Sequence, residues 1–351
     1  MGWIRTGWLA AALALGACSG DMGAGDGGAA SDVGVRADAR VVRLPDTGPG
    51  PDSTARSRLE APYPIVLVHG FFGFDDFAGA GFLTYFYGVR DDLRARGELE
   101  VFTPTTDPFN DSTTRGEQLL AQVEAIVAET GRAKVNLIGH SQGGLDVRYV
   151  ASRRPDLVAS VTTYATPNRG TPIADIVVGL VADDRFRLLV DQLARIIGAP
   201  IWDEVGAETS LFHALEQMST AGMVTFNAAH PNVDSVAYYS LTGRTDRDDG
   251  NPECDATDIP PFVSRWERTL DSVDPLLDIV EQIIDGGSAN IVNDGLIRVE
   301  DARWGRFLGC VPADHLDEVG QILGDRPGFN NGFDHLEFFA ELVAFLRAEG
   351  Y

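Results

Sequence analysis

The sequence predicts an α/β fold, a mostly parallel central sheet with helices on both faces. Three observations carry that prediction. The short apolar runs in "YPIVLVHG" (Tyr63–Gly70) and "KVNLIGH" (Lys134–His140) do not alternate with polar residues, so they read as strands buried on both faces. Between them "STTRGEQLLAQVEAIVAETG" (Ser112–Gly131) is apolar on one face, opens on Ser and Thr as caps and closes on Gly131, the end markers of a helix. A helical pattern over Gly143–Arg153 and a strand over "VASVTTYATP" (Val158–Pro167) then continue the alternation, which calls for a parallel sheet covered on both sides.

The elements sit within a chain of 351 residues, 44% hydrophobic and 23% charged, which suits one large globular domain or two small ones. A formal net charge of -24 repels phosphate backbones and anionic membrane surfaces, so nucleic acid is excluded as a partner. Residues 1–17 are expected to lie outside the fold. Arg5, the apolar run Trp8–Leu15 and small residues after it describe an export peptide, and the run is too short to span a bilayer. Cys18 follows Leu15-Gly16-Ala17, as in the lipobox of bacterial lipoproteins, where that cysteine carries the lipid. Residues 18–60, rich in Gly, Ala, Asp and Pro, read as a flexible tether. As a coil its ends would lie about 35 Å apart, holding a domain over 61–351 clear of a membrane. The expected location is outside the cytoplasm, as an outer-membrane or cell-surface lipoprotein or else a secreted protein. With Cys18 set aside, Cys254 and Cys310 form an even pair in an oxidising compartment, and a disulfide between them is expected.

"YPIVLVHG" is the first strand of the domain and "LEVFTPT" (Leu99–Thr105) the second. "KVNLIGH" then meets Ser141-Gln142-Gly143, where a buried strand turns sharply into a helix. A Gly-x-Ser-x-Gly set occurs by chance in glycine-rich chains, but here it lies between a strand and a helix. That context makes Ser141 a nucleophile, held in strained backbone geometry at the carboxyl end of a strand with its hydroxyl presented to a pocket.

A serine hydroxyl needs a histidine to take its proton and a carboxylate to orient that histidine. The chain order for this architecture is Ser, acid, His, so both partners lie downstream of Ser141. Asp294 in "NIVNDGLIRV" is the expected acid, set in an Asn-Asp-Gly turn. Two histidines compete as base: His315 in "DHLDEVGQ" and His335 in "DHLEFFAEL", each just before a helix-like stretch. His213 and His230 precede the acid, while His69 and His140 flank the oxyanion region and are expected to shape it. The oxyanion donors are expected to be the backbone N–H groups of Phe71, in the loop "HGFFGFDDF", and of Gln142. The cluster Phe71, Phe72, Phe74 and Phe77 reads as an acyl-binding wall. Helical segments between 171 and 229 read as a lid over the pocket.

These stretches resemble the bacterial true lipases of the Pseudomonas type. The likeness rests on "YPIVLVHGFFGFDDF", "RGEQLLAQVEAIVAETGRAKVNLIGHSQGG", "RYVASRRPDLVAS", "FNAAHPN", "NDGL" and "HLDEVGQ", which occur in order from Tyr63 to Gln321. The resemblance implies an α/β-hydrolase fold with a helical lid, about 171–229, and cleavage of triacylglycerol esters through an acyl-enzyme. It favours His315 over His335, because "HLDEV" matches the stretch that carries the family's catalytic histidine. It also implies a structural calcium ion held by Asp271, Asp317 and the backbone carbonyls of Gln321 and Asp325, and no cofactor for the chemistry itself. The departures are Gln142 where histidine is frequent, an insertion over Arg244–Ser272, cysteines placed differently from the family's pair, and the lipobox with its tether. Expected partners are an acylglycerol or other ester at a lipid–water interface, a membrane reached through lipidated Cys18, and a dedicated foldase. The alternatives are a carboxylesterase of soluble esters, a polyester depolymerase and, from another class, a non-catalytic lipoprotein that binds a partner on a hydrolase fold.

Overall fold

Alternate residues of the first strand, β1 (Ile65–Val68), enter opposite cores: Ile65 and Leu67 on one side of the sheet, Val66 and Val68 on the other. Both faces are covered, so every position in the run must be apolar. The computed structural model describes residues 58–71, 85–179, 211–246, 254–286, 291–321, 324, 326–328 and 331–351. The export peptide, Cys18 and most of the tether lie outside the described residues, as do the middle of the lid stretch (180–210), Phe72, Phe74, Phe77 and Asp325. The first pairing falls just before the domain start expected at 61: Leu59 N–H donates to Gly131 O, and Ala133 N–H to Leu59 O.

Helix α1 (Val89–Ala95) leads to β2 (Val101–Phe102), and α2 (Ser112–Thr130) follows. Then come β3 (Val135–His140), α3 (Gly143–Arg153) and β4 (Val158–Tyr164). Helices α4 (Pro172–Gly179), α5 (Leu211–Met218) and α6 (Thr220–Ala229) interrupt the alternation. β5 (Ala237–Gly243), α7 (Asp278–Ile284), β6 (Arg306–Val311) and α8 (His335–Ala348) complete the succession, with one-turn helices at Pro261–Ser264 and Val299–Ala302. The strands pair in the order β2-β1-β3-β4-β5-β6, every neighbour parallel. Val89 and Leu93 of α1 and Phe338, Phe339 and Leu342 of α8 fill one core. Leu119 and Val123 of α2 and Val147 and Val150 of α3 fill the other.

Two local expectations are corrected. The second strand pairs only at Val101 and Phe102, although the sequence extends it from Leu99 to Thr105. It is an edge strand, Leu99 is 76% exposed, and Pro104 has no N–H to offer a ladder. Helix α2 is capped by Asp111 rather than by Ser112 or Thr113. Asp111 holds extended backbone, and its carboxylate accepts from Thr113 and Thr114 N–H at the positive end of the helix.

The disulfide joins Cys254 to Cys310, 56 residues apart, and ties the insertion to β6. Inside that insertion the Arg244 guanidinium donates to the carbonyls of Trp266, Glu267 and Thr269. Cys254→Ser is expected to lower the unfolding free energy by about 4 kcal/mol on the loop-closure account. A urea titration checks this, and an unchanged midpoint would show that the bridge constrains nothing.

Candidate active site

Strand β3 delivers Ser141 at its carboxyl end, and α3 begins two residues later. Ser141 has φ 56°, in the left-handed region that L side chains rarely adopt, and its N–H donates to Tyr164 O of the neighbouring strand. The flanking glycines permit the turn by close approach. A Cβ at Gly139 would stand 2.3 Å from Gly143 O, and one at Gly143 would stand 2.3 Å from Val68 O. No other residue fits either position without moving backbone.

His315 lies in the loop that follows β6. Its Nδ1 is 2.9 Å from Asp294 Oδ2, and its own N–H donates to Asp294 O at 2.7 Å. Asp294 is fully buried on the turn after Asn293, whose Oδ1 accepts from Gly295 N–H. The other oxygen, Asp294 Oδ1, accepts from Leu296 N–H at 2.9 Å and Ile297 N–H at 2.6 Å. Only Oδ2 is left to face the imidazole, so Nδ1 carries a proton and Nε2 is a base. Ser141 and His315 line one apolar pocket together with Phe71, Tyr85, Leu296 and Gln321. Its remaining wall includes Ile173 and Val177 of α4 and Leu215 and Met218 of α5. His335 is elsewhere, at the start of α8, with Nε2 2.9 Å from Tyr87 O.

The oxyanion region is held by groups that the sequence does not single out. Arg115 and Asp146 form a fully buried ion pair at 2.8 Å, and the same guanidinium donates to His69 O and Asp107 O. His69 Nε2 accepts from Thr106 N–H at 3.0 Å, so the ring's other nitrogen, Nδ1, donates to Gly70 O at 2.9 Å. Burial, reinforced by the charge of Arg115, pushes His69 down to about 3, which keeps the ring neutral. Gln142 is buried at the head of α3, with its Nε2 donating to Asn110 O.

His140, beside Ser141, is fully buried, and its ring centroid is 4.6 Å from that of His315. Its Nε2 lies 2.7 Å from Glu318 Oε2 and its Nδ1 2.7 Å from the Tyr85 hydroxyl. Burial holds His140 well below the usual histidine range, with the charge of His315 adding to the effect. Burial raises Glu318 well above the usual carboxylate range, and the charge of Asp294 adds to it. Glu318 is a residue the sequence shows only as part of "HLDEV". Arg115 carries no local signal beyond its place in a matching stretch, and Tyr85 lies outside every such stretch. His230, outside the site, meets Ser152 Oγ at 2.8 Å.

Asp271 and Asp317, expected as calcium ligands, come together, and Asp314 joins them, with carboxylate oxygens within 4.8 Å of one another. Burial pushes Asp271 up to about 6 and Asp314 up to about 7, and for Asp314 the charge of Asp274 adds to the rise. Asp271 Oδ2 is buried without a hydrogen-bond partner. Crowded, buried and all-oxygen, the set fits a hard divalent cation. Asp314 could have been suspected from the Asp-x-x-Asp spacing around His315.

Residues 63–234 match the family described as the alpha/beta hydrolase fold. The chain is 34% identical to a triacylglycerol lipase of Vibrio cholerae, over 75% of this chain and 81% of that protein. It is 33% identical to a triacylglycerol lipase of Pseudarthrobacter phenanthrenivorans, over 75% of this chain and 90% of that one. The solved structure of lipase 1 from Pelosinus fermentans shares the fold with a TM-score of 0.53 at 20% identity, covering 81% of this chain and 98% of that chain. A parallel sheet in this order, a strained serine between its third strand and the next helix, and this degree of identity have one meaning: the chain belongs to the bacterial lipases of the α/β-hydrolase superfamily.

Proposed function

We propose that the chain hydrolyses the carboxylic esters of acylglycerols, with Ser141 as nucleophile, His315 as general base and Asp294 as the group that orients and charge-stabilises His315. The observation that carries the reading is the shared pocket: a strained serine and an imidazole line it, and a buried carboxylate fixes the tautomer of that imidazole. Ser141 Oγ attacks the ester carbonyl as His315 Nε2 takes its proton. Backbone N–H groups of Phe71 and Gln142 receive the oxyanion. The imidazolium returns the proton to the leaving alcohol. Water, deprotonated by the same nitrogen, then cleaves the acyl-enzyme and restores Ser141.

The pocket lining is almost wholly apolar, which suits an acyl chain, and α4 and α5 contribute much of it. We read the 171–229 stretch as a lid that opens at an oil surface. Phe212 on α5 is 42% exposed, an apolar group available to such a surface. The test is hydrolysis of tributyrin below and above its solubility limit, with a panel of p-nitrophenyl esters of rising acyl length. A steep rise once the emulsion forms supports a lipase with a working lid. A saturable rate below the limit with no rise above it would instead make the protein a carboxylesterase.

A structural calcium ion bound through Asp271 and Asp317, with carbonyls of Gln321 and Asp325, would tie the loop of His315 to the end of the insertion. Asp314 would add a third carboxylate. When bound, the ion supplies cross-linking charge and takes no part in the ester chemistry. Chelation is expected to lower the melting temperature by about 5 °C, with recovery on adding calcium and no response in Asp317→Asn. Melting curves that ignore both chelator and calcium would remove the ion from the proposal.

Among the described residues no helix is long and apolar enough to cross a membrane. We further propose that residues 1–17 direct export, that Cys18 carries a lipid, and that 18–60 tethers the hydrolase domain. Radiolabelled palmitate incorporated into the wild type but not into Cys18→Ser would support this, whereas label in neither would favour release.

A further inference from the structure

Four polar groups from distant parts of the chain are joined end to end beneath the pocket. Glu318 lies three residues beyond His315, and its Oε1 accepts from the Gly243 N–H at the end of β5. Its Oε2 is 2.7 Å from His140 Nε2, and His140 Nδ1 is 2.7 Å from the Tyr85 hydroxyl. That hydroxyl oxygen also packs directly against Gly70, where a Cβ would come within 2.6 Å of it. His140 immediately precedes Ser141, and Gly70 immediately precedes Phe71. The chain of contacts therefore runs from the loop of the base, past the nucleophile, to the oxyanion loop.

We propose that Tyr85, His140 and Glu318 form one buried positioning relay that holds the oxyanion loop in register with Ser141 and with the loop of His315. The proposal rests on the serine-hydrolase reading above and adds residues to it. Tyr85 is 2% exposed, and His140 and Glu318 are fully buried. Burying three polar side chains is unfavourable unless each finds its partners, and the members of such a chain strengthen one another. Here each finds them only if the three loops keep one spacing. Gly70 is held from two sides: the Tyr85 oxygen packs against it, and its C=O accepts from His69 Nδ1. The peptide that follows is planar, so fixing Gly70 O also fixes the direction of the Phe71 N–H. Space is equally tight, since a Cβ on Gly70 would lie 2.5 Å from the Cβ of Ser141 and 2.6 Å from the Tyr85 oxygen. On the other side the His140 ring packs against that of His315, so the relay also backs the base.

Tyr85→Phe removes the hydroxyl and keeps the ring, including its edge contact with Phe86. Loss of a whole oxyanion donor costs about 100- to 1000-fold in kcat, so a donor merely loosened is expected to cost about 10- to 100-fold. KM is expected to stay within about twofold, because the substrate carbonyl draws on these donors less than the oxyanion does. The affinity of an alkyl boronic acid, which forms a tetrahedral adduct on Ser141, should weaken by the same factor as kcat. Rates are expressed per site titrated with a fluorophosphonate, and melting temperature is followed to separate misfolding from misplacement. In the double variant Tyr85→Phe/His140→Phe the loss should be no greater than the larger single loss, as members of one relay require. Wild-type kcat and boronate affinity in Tyr85→Phe would overturn the relay, as would single losses that multiply. Should the His140 variant not fold, the Tyr85→Phe pair of readouts decides alone. A wild type that takes no fluorophosphonate on Ser141 overturns the underlying hydrolase reading, a result distinct from a labelled wild type whose Tyr85→Phe form is indifferent.

Discussion

Ser141→Ala is expected to lower kcat by about a millionfold while leaving the fold and the binding of a non-hydrolysable ester analogue intact. The size of the effect follows from what remains. His315 still lines the pocket with Asp294 behind it, but with no oxygen to deprotonate they act only weakly, through water. Donors at Phe71 and Gln142 would still bind an oxyanion, and they account for the residual rate above the uncatalysed one. Stability should not suffer, because alanine inherits the same φ of 56° that serine already bears. Initial rates on p-nitrophenyl butyrate and mass spectrometry after fluorophosphonate treatment check this together. Hydrolysis at the wild-type rate would sink the nucleophile assignment and the acyl-enzyme with it.

Asp294→Asn is expected to cost about ten-thousandfold in kcat with little change in size or packing. The turn itself explains why so conservative a change should matter. Leu296 N–H and Ile297 N–H both donate to Oδ1, so the substituted amide must keep its oxygen on that side. Its NH2 group then replaces Oδ2 and points a donor at His315 Nδ1, 2.9 Å away in the wild type. Nδ1 must become the acceptor, the proton moves to Nε2, and Nε2 is no longer a base. Asp294→Ala leaves the tautomer unconstrained, so the asparagine form should be at least as damaged as the alanine form. Steady-state kinetics of the two variants test this ordering, and an asparagine variant near wild-type activity would place the orienting acid elsewhere.

Much of the fold was legible because it is locally encoded. "YPIVLVHG" and "KVNLIGH" are apolar at every step because both sheet faces are covered, and that requirement is visible residue by residue. The bounds of α3 follow from the same local pattern. The second strand was less legible, since the edge of a sheet and the missing N–H of Pro104 limit pairing in a way hydropathy does not report. β6 carries Gly309 at φ 117° and has a register shift opposite β5, so its run is poorly marked. The choice between His315 and His335 shows the boundary well. Each follows an aspartate and precedes a helical turn, and position alone left them as rivals until the likeness of "HLDEV" favoured the first.

What the sequence by itself determined is therefore the parallel α/β architecture, the strained turn at Ser141 and the short set of residues able to serve it. Those depend on strand burial, helix periodicity and the tight passage of glycines, all of which act over a few neighbouring positions. Only the tertiary structure decided which groups meet: Asp294 with His315 across 21 residues, Glu318 with His140 across 178, Asp314 with Asp271 and Asp317, Tyr85 with the oxyanion loop. The reason is that such meetings are set by the order of strands in the sheet, which brings the ends of β3, β5 and β6 to one edge, and no local pattern records that order.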